Sequence, residues 1–362
     1  MTASKPVKFG LLFSTQLPEV PGSAAELWKE ILDEAQHAED VGFYSVHLPE
    51  HHMREDGYLP QPMVAAAAIA QRTRSVFVGP TVMVAPLRHP VHLAEEAAMV
   101  DVLSDGRLIL GLGIGNFQPE FDLFGLPMEH QGALFDEVLG LLLRFWDGSP
   151  VHHEGRFFNF DGQIVRPLPV QQPRPPIWIG GMSKPGVRRA ARFGLPLILD
   201  PLHPIEHLRT WVDLYREECA QLGNRPEVIL IRYGWIGDAD SLEHVWWPHL
   251  RQTMWTYLRD IPRLRTDVDP RIAACQQIDD LRLDWVKPDR FLIGTEEEVL
   301  ATARRWAERL DCDHVIVKLQ GSTGPWGSSL SDTVEAWGRA VARPLLASDP
   351  DTIEPDDRGI TT

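Results

Sequence analysis

The chain has 362 residues, 44% hydrophobic and 24% charged, which is the balance of a folded globular protein and excludes a disordered one. Apolar runs such as Met63–Ala70 and Val76–Val84 fall far short of the roughly 20 residues that span a bilayer, so no membrane protein is expected. Fifty-one acidic against 35 basic residues give −16, the wrong sign for a nucleic-acid binder.

The stretch before Phe9 has no apolar signal core, so a cytoplasmic protein is expected. Cys219, Cys275 and Cys312 are odd in number and form no CxxC, which points to reduced thiols rather than disulfides or a thiolate zinc site.

In chain order, short β-rich runs alternate with helical patterns. Val7–Phe13 precedes a helix over Ala24–Val41, which Gly42 ends. Ser45–Leu48 precedes Pro62–Gln71, Ser75–Val84 precedes Val91–Leu103, and Arg107–Leu112 precedes Gly132–Phe145. Glycines, aromatics and prolines in His152–Pro169 predict a hairpin or arm outside the repeat. Pro176–Ile179, Leu197–Leu199 and Val228–Ile236 then lead to helices at Gly186–Phe193, Ile205–Leu222 and Leu242–Tyr257. Residues 261–292 break the rhythm and are expected to be an insertion. Glu296–Leu310 is amphipathic, His314–Leu319 is the last strand and Ser331–Leu346 the last helix.

Eight strand–helix units predict a (β/α)₈ barrel. A single domain is expected over residues 1–347, with insertions near 148–175 (after the fourth helix) and 260–292 (before the last strand). The polar tail Ser348–Thr362 is expected to be disordered. Active groups should sit at the C-terminal strand ends.

The second strand ends in His47-Leu48-Pro49-Glu50-His51-His52. Metal ligation, structural bonding to the loop and acid/base chemistry are all open. No partner ligands stand out at other strand ends, so no metal is expected. His51 as acid/base or polarising group is preferred, because imidazole titrates near neutrality and this loop should face the pocket.

The fourth strand ends in Gly111-Leu112-Gly113-Ile114-Gly115-Asn116. The GxGxxG spacing fails at Asn116, so the glycines serve either close approach by a flat ligand or tight packing. Gly180-Gly181-Met182-Ser183-Lys184 runs a strand into a helix, where free N–H groups and the Ser183 hydroxyl suit a phosphate or an ordinary capped turn. Arg107 is expected to pair with a carboxylate, Arg88-His89-Pro90 to start a helix, and Trp246, Trp247 and Trp255 to be core or subunit contact.

Taken together, Leu48–His52, Val78–Val82, Arg88–Val91, Asp101–Arg107, Gly111–Gly115 and Phe124-Gly125 resemble the bacterial luciferase-like flavin monooxygenases. The likeness is densest over 43–126 and is nearest the luciferase α-subunit type. It implies a dimeric barrel that takes reduced FMN from a separate reductase, adds O₂ at flavin C4a and uses the peroxyflavin on an organic substrate.

By this resemblance His51 and His52 are the catalytic pair. Glu50, Thr81, Val82, Gly113, Ile114, Gly115, Gly180, Gly181, Met182 and Ser183 contact the cofactor, with a non-prolyl cis bond at Thr81–Val82. Phe13, His47, Met83 and Trp326 are expected to wall the substrate pocket, for an aldehyde, ketone or terpenoid-like molecule.

Gly113 replaces luciferase's reactive cysteine, Ile114 its phosphate-binding arginine and Met182 the acidic residue of the phosphate turn. No light emission is therefore expected. Some relatives use the deazaflavin F420 for hydride transfer instead, and others are non-catalytic.

Overall fold

A computed structural model describes residues 6–17, 23–181, 183–260 and 269–347. The expected tail Ser348–Thr362 and Met182 lie outside the described residues.

The barrel strands are β1 (Lys8–Leu12), β2 (Ser45–Leu48), β3 (Phe77–Pro80), β4 (Met83–Val84) and β5 (Leu110–Gly113). β6 (Val151–Glu154) and β7 (Asn159–Gln163) form a separate antiparallel hairpin, as their glycines and aromatics predicted. The parallel series resumes with β8 (Ile177–Gly180), β9 (Leu197–Leu199) and β10 (Val228–Ile236). It ends with β11 (Leu292–Gly294), paired to the outer half of β10, and β12 (His314–Lys318).

Neighbours run β3-β2-β1-β12-β10-β9-β8-β5-β4, all parallel, with Gly10 of β1 facing Ser45 on one side and Ile316 on the other. The expected third strand is thus two segments, broken at Thr81–Val82, where the non-prolyl cis bond is present.

Closure falls between β3 and the run into β5. Val78 N–H donates to the Arg107 carbonyl at 2.9 Å, and Ile109 N–H donates to the Val78 carbonyl at 3.0 Å. Glycine makes this seam possible. A Cβ on Gly79 would stand 1.7 Å from the Ile109 carbonyl oxygen, and one on Gly111 2.6 Å from the Pro80 carbonyl oxygen. Backbone cannot yield as a side-chain tip does, so both positions require hydrogen.

Local chemistry sets the helices. Ser23 and Glu26 make a reciprocal capping box at the start of Ala24–Asp40, and Thr295 and Glu298 do the same for Glu296–Leu310. Gly194 and Gly223 end their helices at φ 61° and 71°. The main core lies between strands and helices; a smaller apolar set, including Leu12, Ile109, Trp178, Ile198, Ile231 and Ile316, fills the lumen.

One expectation gains detail and one changes. The part of the expected 261–292 insertion that is described runs from 269 on. Its short helices Pro270–Ala273 and Leu283–Arg290 pack with Trp246, Trp247, Leu250 and Met254 into a second core beside β10, and the tryptophans are core as expected. Arg107 pairs with no carboxylate within ion-pair reach among the described residues. Its guanidinium donates to the carbonyls of Ala70, Thr73, Val76 and Ser104, at 2.7–3.1 Å, and to the Thr73 hydroxyl. A helix end leaves carbonyls unpaired, and a five-donor fork satisfies several at once.

Candidate active site

At the C-terminal rim, β2 delivers Glu50, His51 and His52 into three different environments. Glu50 is buried, with Arg88 Nη1 2.5 Å from its Oε1, His52 Nε2 3.0 Å from the same oxygen, and Val84 N–H donating to Oε2. A carboxylate only accepts, so His52 Nε2 carries the proton and His52 is spent on holding Glu50.

His51 faces the opening. Its Nδ1 lies 3.4 Å from Glu120 Oε1, its Nε2 3.4 Å from Tyr257 Oη, and its ring packs 4.7 Å from that of Tyr58. Burial would raise the Glu120 pKa, but hydrogen bonds from the His51 ring and the His52 N–H, with the charges of both imidazoles, hold it below the ordinary value. Ionised Glu120 therefore fixes the proton on His51 Nδ1. In the neutral ring Nε2 is then the acceptor for the Tyr257 hydroxyl and for whatever enters the site.

His47 is elsewhere. Its Nδ1 meets Thr81 Oγ1 at 2.8 Å and its Nε2 meets Ser45 Oγ at 2.8 Å, and Ser45 continues to His314 Nε2 at 2.9 Å. This chain lies in the lumen below the rim. The three histidines of the motif thus face three different sets of partners.

Burial drops the His47 pKa to about 3, and His314, buried and facing His47 and Lys8, falls well below its usual value. An unfolded His47 protonates near its ordinary value of about 6.5, so between the two values the unfolded state holds the extra proton and stability falls as the pH is lowered. The expected loss from His47 reaches about 1.4 kcal/mol per pH unit below about 6. Urea midpoints of the wild type and His47→Gln from pH 7 to 4.5 check this. A variant slope as steep as the wild type would remove His47 as the cause.

Two cavities meet at the rim. The first, about 280 Å³, contains Glu50, His51, Thr81, Val82, Gly113, Ile114, Gly115, Gly180, Gly181 and Ser183 in its wall, so every described residue expected at the cofactor is brought together there. Its floor is Leu12, Val82, Ile198 and Ile231. Of the two glycine alternatives, tight packing is observed: a Cβ on Gly113 would fall 2.6 Å from Val82 Cγ2, and one on Gly115 2.8 Å from Phe121 and Val84; both glycines also line the cavity.

At the β8 end, Ser183 caps Lys184–Phe193 by accepting from Gly186 N–H at 3.3 Å; Pro185 has no N–H and Val187 N–H donates to the Ser183 carbonyl at 2.9 Å, so the donors this end offers the cavity are the Ser183 hydroxyl and the Arg189 guanidinium. The Ser183 hydroxyl, the Arg189 guanidinium and the apolar floor fit a phosphorylated ring cofactor such as FMN.

The second cavity, about 520 Å³, shares His51, Tyr58, Asn116 and Tyr257 with the first. Its remaining wall is rich in hydrogen-bonding groups, among them Gln16, Arg54, Thr253, Thr256, Ser322 and Thr323. Gln16 is 5% exposed, and its Oε1 has no partner among the described residues. Arg54 pairs with Asp260 at 2.8 Å.

The expected pocket wall differs. Phe13 and Met83 lie in the barrel–helix core, because side chains alternate along a strand: Leu12 and Val82 take the inner face and their neighbours the outer. His47 lies in the lumen as described, and Trp326 packs against the main core; none of the four walls either cavity.

Three wall residues were not singled out from sequence. Arg189, on the helix behind Ser183, is buried, paired to Asp136 Oδ1 at 2.5 Å and exposed to the first cavity. Lys318 is a single charge at the end of an apolar strand, the position where barrel chemistry sits, and that was the available signal. Tyr257 comes from the helix Trp247–Asp260 and no local motif marks it.

These features define a parallel (β/α)₈ barrel with a cavity at its strand ends, flanked by His51 on one side and by Ser183 and Arg189 on the other. The model of the luciferase-like monooxygenases matches residues 7–310, and the chain belongs to that family.

It is 28% identical over 240 residues to the oxygenase component of a flavin-dependent trigonelline monooxygenase from Acinetobacter baylyi, covering 65% of this chain and 66% of that one. It is 30% identical over 219 residues to the alkanal monooxygenase alpha chain of Photorhabdus laumondii, covering 60% of each. The matches thus span about three fifths to two thirds of these relatives' length. The crystal structure of the monooxygenase RslO1 from Streptomyces bottropensis superposes with TM-score 0.75 at 27% identity, over 94% of this chain and all of that one.

Proposed function

We propose that the protein is the oxygenase part of a two-component flavin monooxygenase, a homodimer in the cytoplasm. It would take reduced FMN from a separate reductase and use O₂ to oxygenate a small organic substrate without emitting light. The observation that carries this reading is one continuous cavity running from His51 to the Ser183-capped helix start. A relative named as an oxygenase component supports the division of labour with a reductase.

Reduced FMN, once bound, supplies the electrons that activate O₂. The chain's own residues do the rest. The Ser183 hydroxyl and the Arg189 guanidinium would hold the phosphate. Leu12, Val82, Ile198 and Ile231 exclude water from beneath the ring. His51 accepts or returns a proton at Nε2, its other nitrogen being fixed by Glu120. The larger cavity holds the substrate on the far side of His51. Its hydrogen-bonding wall favours a compact carbonyl compound, aldehyde or ketone, over a hydrocarbon terpenoid.

The test is to mix the protein with photoreduced FMN and then with air. Bound flavin should reoxidise far more slowly than free reduced FMN, through an absorbance transient that free flavin lacks. Identical reoxidation traces with and without protein would exclude the proposal. Turnover with F420 under anaerobic conditions would assign hydride transfer instead.

A further inference from the structure

Lys318 ends β12, three strands around the barrel from the Ser183 turn, and opens into the same cavity. It is 3% exposed. Its Nζ donates to Tyr58 Oη at 3.3 Å and lies 5.6 Å and 5.7 Å from the ring centroids of Tyr58 and Tyr233. Among the described residues, no carboxylate lies within ion-pair distance of it.

A buried ammonium held only by a hydroxyl and two ring faces is under-compensated. The nearby phenols do not ionise to neutralise it, since burial raises the pKa of Tyr58, Tyr233 and Tyr257 alike. The cavity is therefore electrostatically prepared for an incoming anion at the end away from the phosphate turn.

Reduction of FMN by two electrons with uptake of one proton leaves its ring system carrying one negative charge, whereas the oxidised ring is neutral. We infer that Lys318 is the positive partner of the reduced flavin ring, so that the site prefers reduced over oxidised FMN. The inference rests on the FMN reading above and specifies how that site selects the redox state delivered to it. Both redox forms carry the same phosphate, so Ser183 and Arg189 cannot make this distinction; a charge at the ring end can.

Burial lowers the Lys318 pKa to about 8, with the field of Asp56 acting the other way. The groups facing it are Tyr58 and Tyr233, with Tyr257 beyond, and all three stay neutral in this range. Raising the pH through about 8 should therefore switch off the preference.

The test measures affinity for oxidised and for photoreduced FMN, anaerobically, on the full-length wild type, Lys318→Met and Lys318→Arg. Lys318→Met is expected to weaken reduced FMN by about tenfold with little change for oxidised FMN. That lowers the potential of the bound flavin by about 30 mV for a two-electron couple. Lys318→Arg should keep the preference, and the wild type should lose it between pH 7 and 9.5.

If Lys318→Met keeps the preference, or weakens both forms equally, the inference fails. If that variant does not fold, a wild-type preference independent of pH overturns it just as well. Wild-type protein that binds neither form of FMN brings down the flavin reading itself. Binding with a preference indifferent to Lys318 brings down this inference alone.

Discussion

Replacing His51 by Ala is expected to cut product formation by about 10²–10⁴-fold, the span for removing a positioned acid/base group, while reduced-FMN affinity stays near that of the wild type. The separation follows from geometry. His51 stands between the two cavities, with its Nδ1 tied to Glu120 and its Nε2 toward Tyr257, whereas the proposed phosphate donors, Ser183 and Arg189, are at the β8 end. Glu120→Gln should lower activity less, because the amide oxygen still accepts from Nδ1 but no longer as an anion. Steady-state product analysis, alongside the hydrogen peroxide released by wasted turnovers, measures the effect. Product yield unchanged in His51→Ala would remove the histidine from the chemistry.

The second large effect is on stability. Arg88→Met is expected to cost about 3–5 kcal/mol, the range for breaking a buried pair from one side. The Glu50 side chain has no exposure and that of Arg88 about 10%. Without the guanidinium, the carboxylate keeps, among the described residues, His52 and the Val84 N–H. The double variant Arg88→Met with Glu50→Gln should recover much of the loss, since no uncompensated charge remains. Urea unfolding of wild type, single and double variants reads this directly. A loss below about 1 kcal/mol in the single variant would contradict the pair's role. Because Glu50 also pins Val84, Arg88→Met should loosen the wall beside Thr81–Val82 and weaken flavin binding in whatever fraction stays folded.

The barrel was legible because its signals are local and repeated. Val7–Phe13, Ser45–Leu48 and Leu197–Leu199 are short apolar runs between amphipathic stretches, and all three form strands in the sheet. The expected helix Ile205–Leu222 has those same ends in the structure, closed by Gly223 at φ 71°.

The wall of the first cavity was legible through family likeness, since its residues lie in the turns that carry the resemblance. The other wall was not, for two physical reasons. Which face of a strand looks inward depends on register, and a one-residue difference exchanges Phe13 for Leu12 and Met83 for Val82. Tyr257 and Thr253 reach the site from a helix carried by the second core, whose Pro-, Arg- and Asp-rich sequence masks its few buried anchors, Ile272, Leu281 and Val286. Arg107 escaped for a related reason, as backbone carbonyls leave no mark in a sequence.

His51, Tyr58, Asn116 and Tyr257 form a partition with a face in each of the two cavities. A side chain that shifts to suit an occupant on one face changes the shape offered on the other. By thermodynamic linkage, the factor by which a substrate analogue changes flavin affinity must equal the factor by which flavin changes affinity for the analogue. The order of addition then alters the kinetics of assembly and leaves the final ternary occupancy the same.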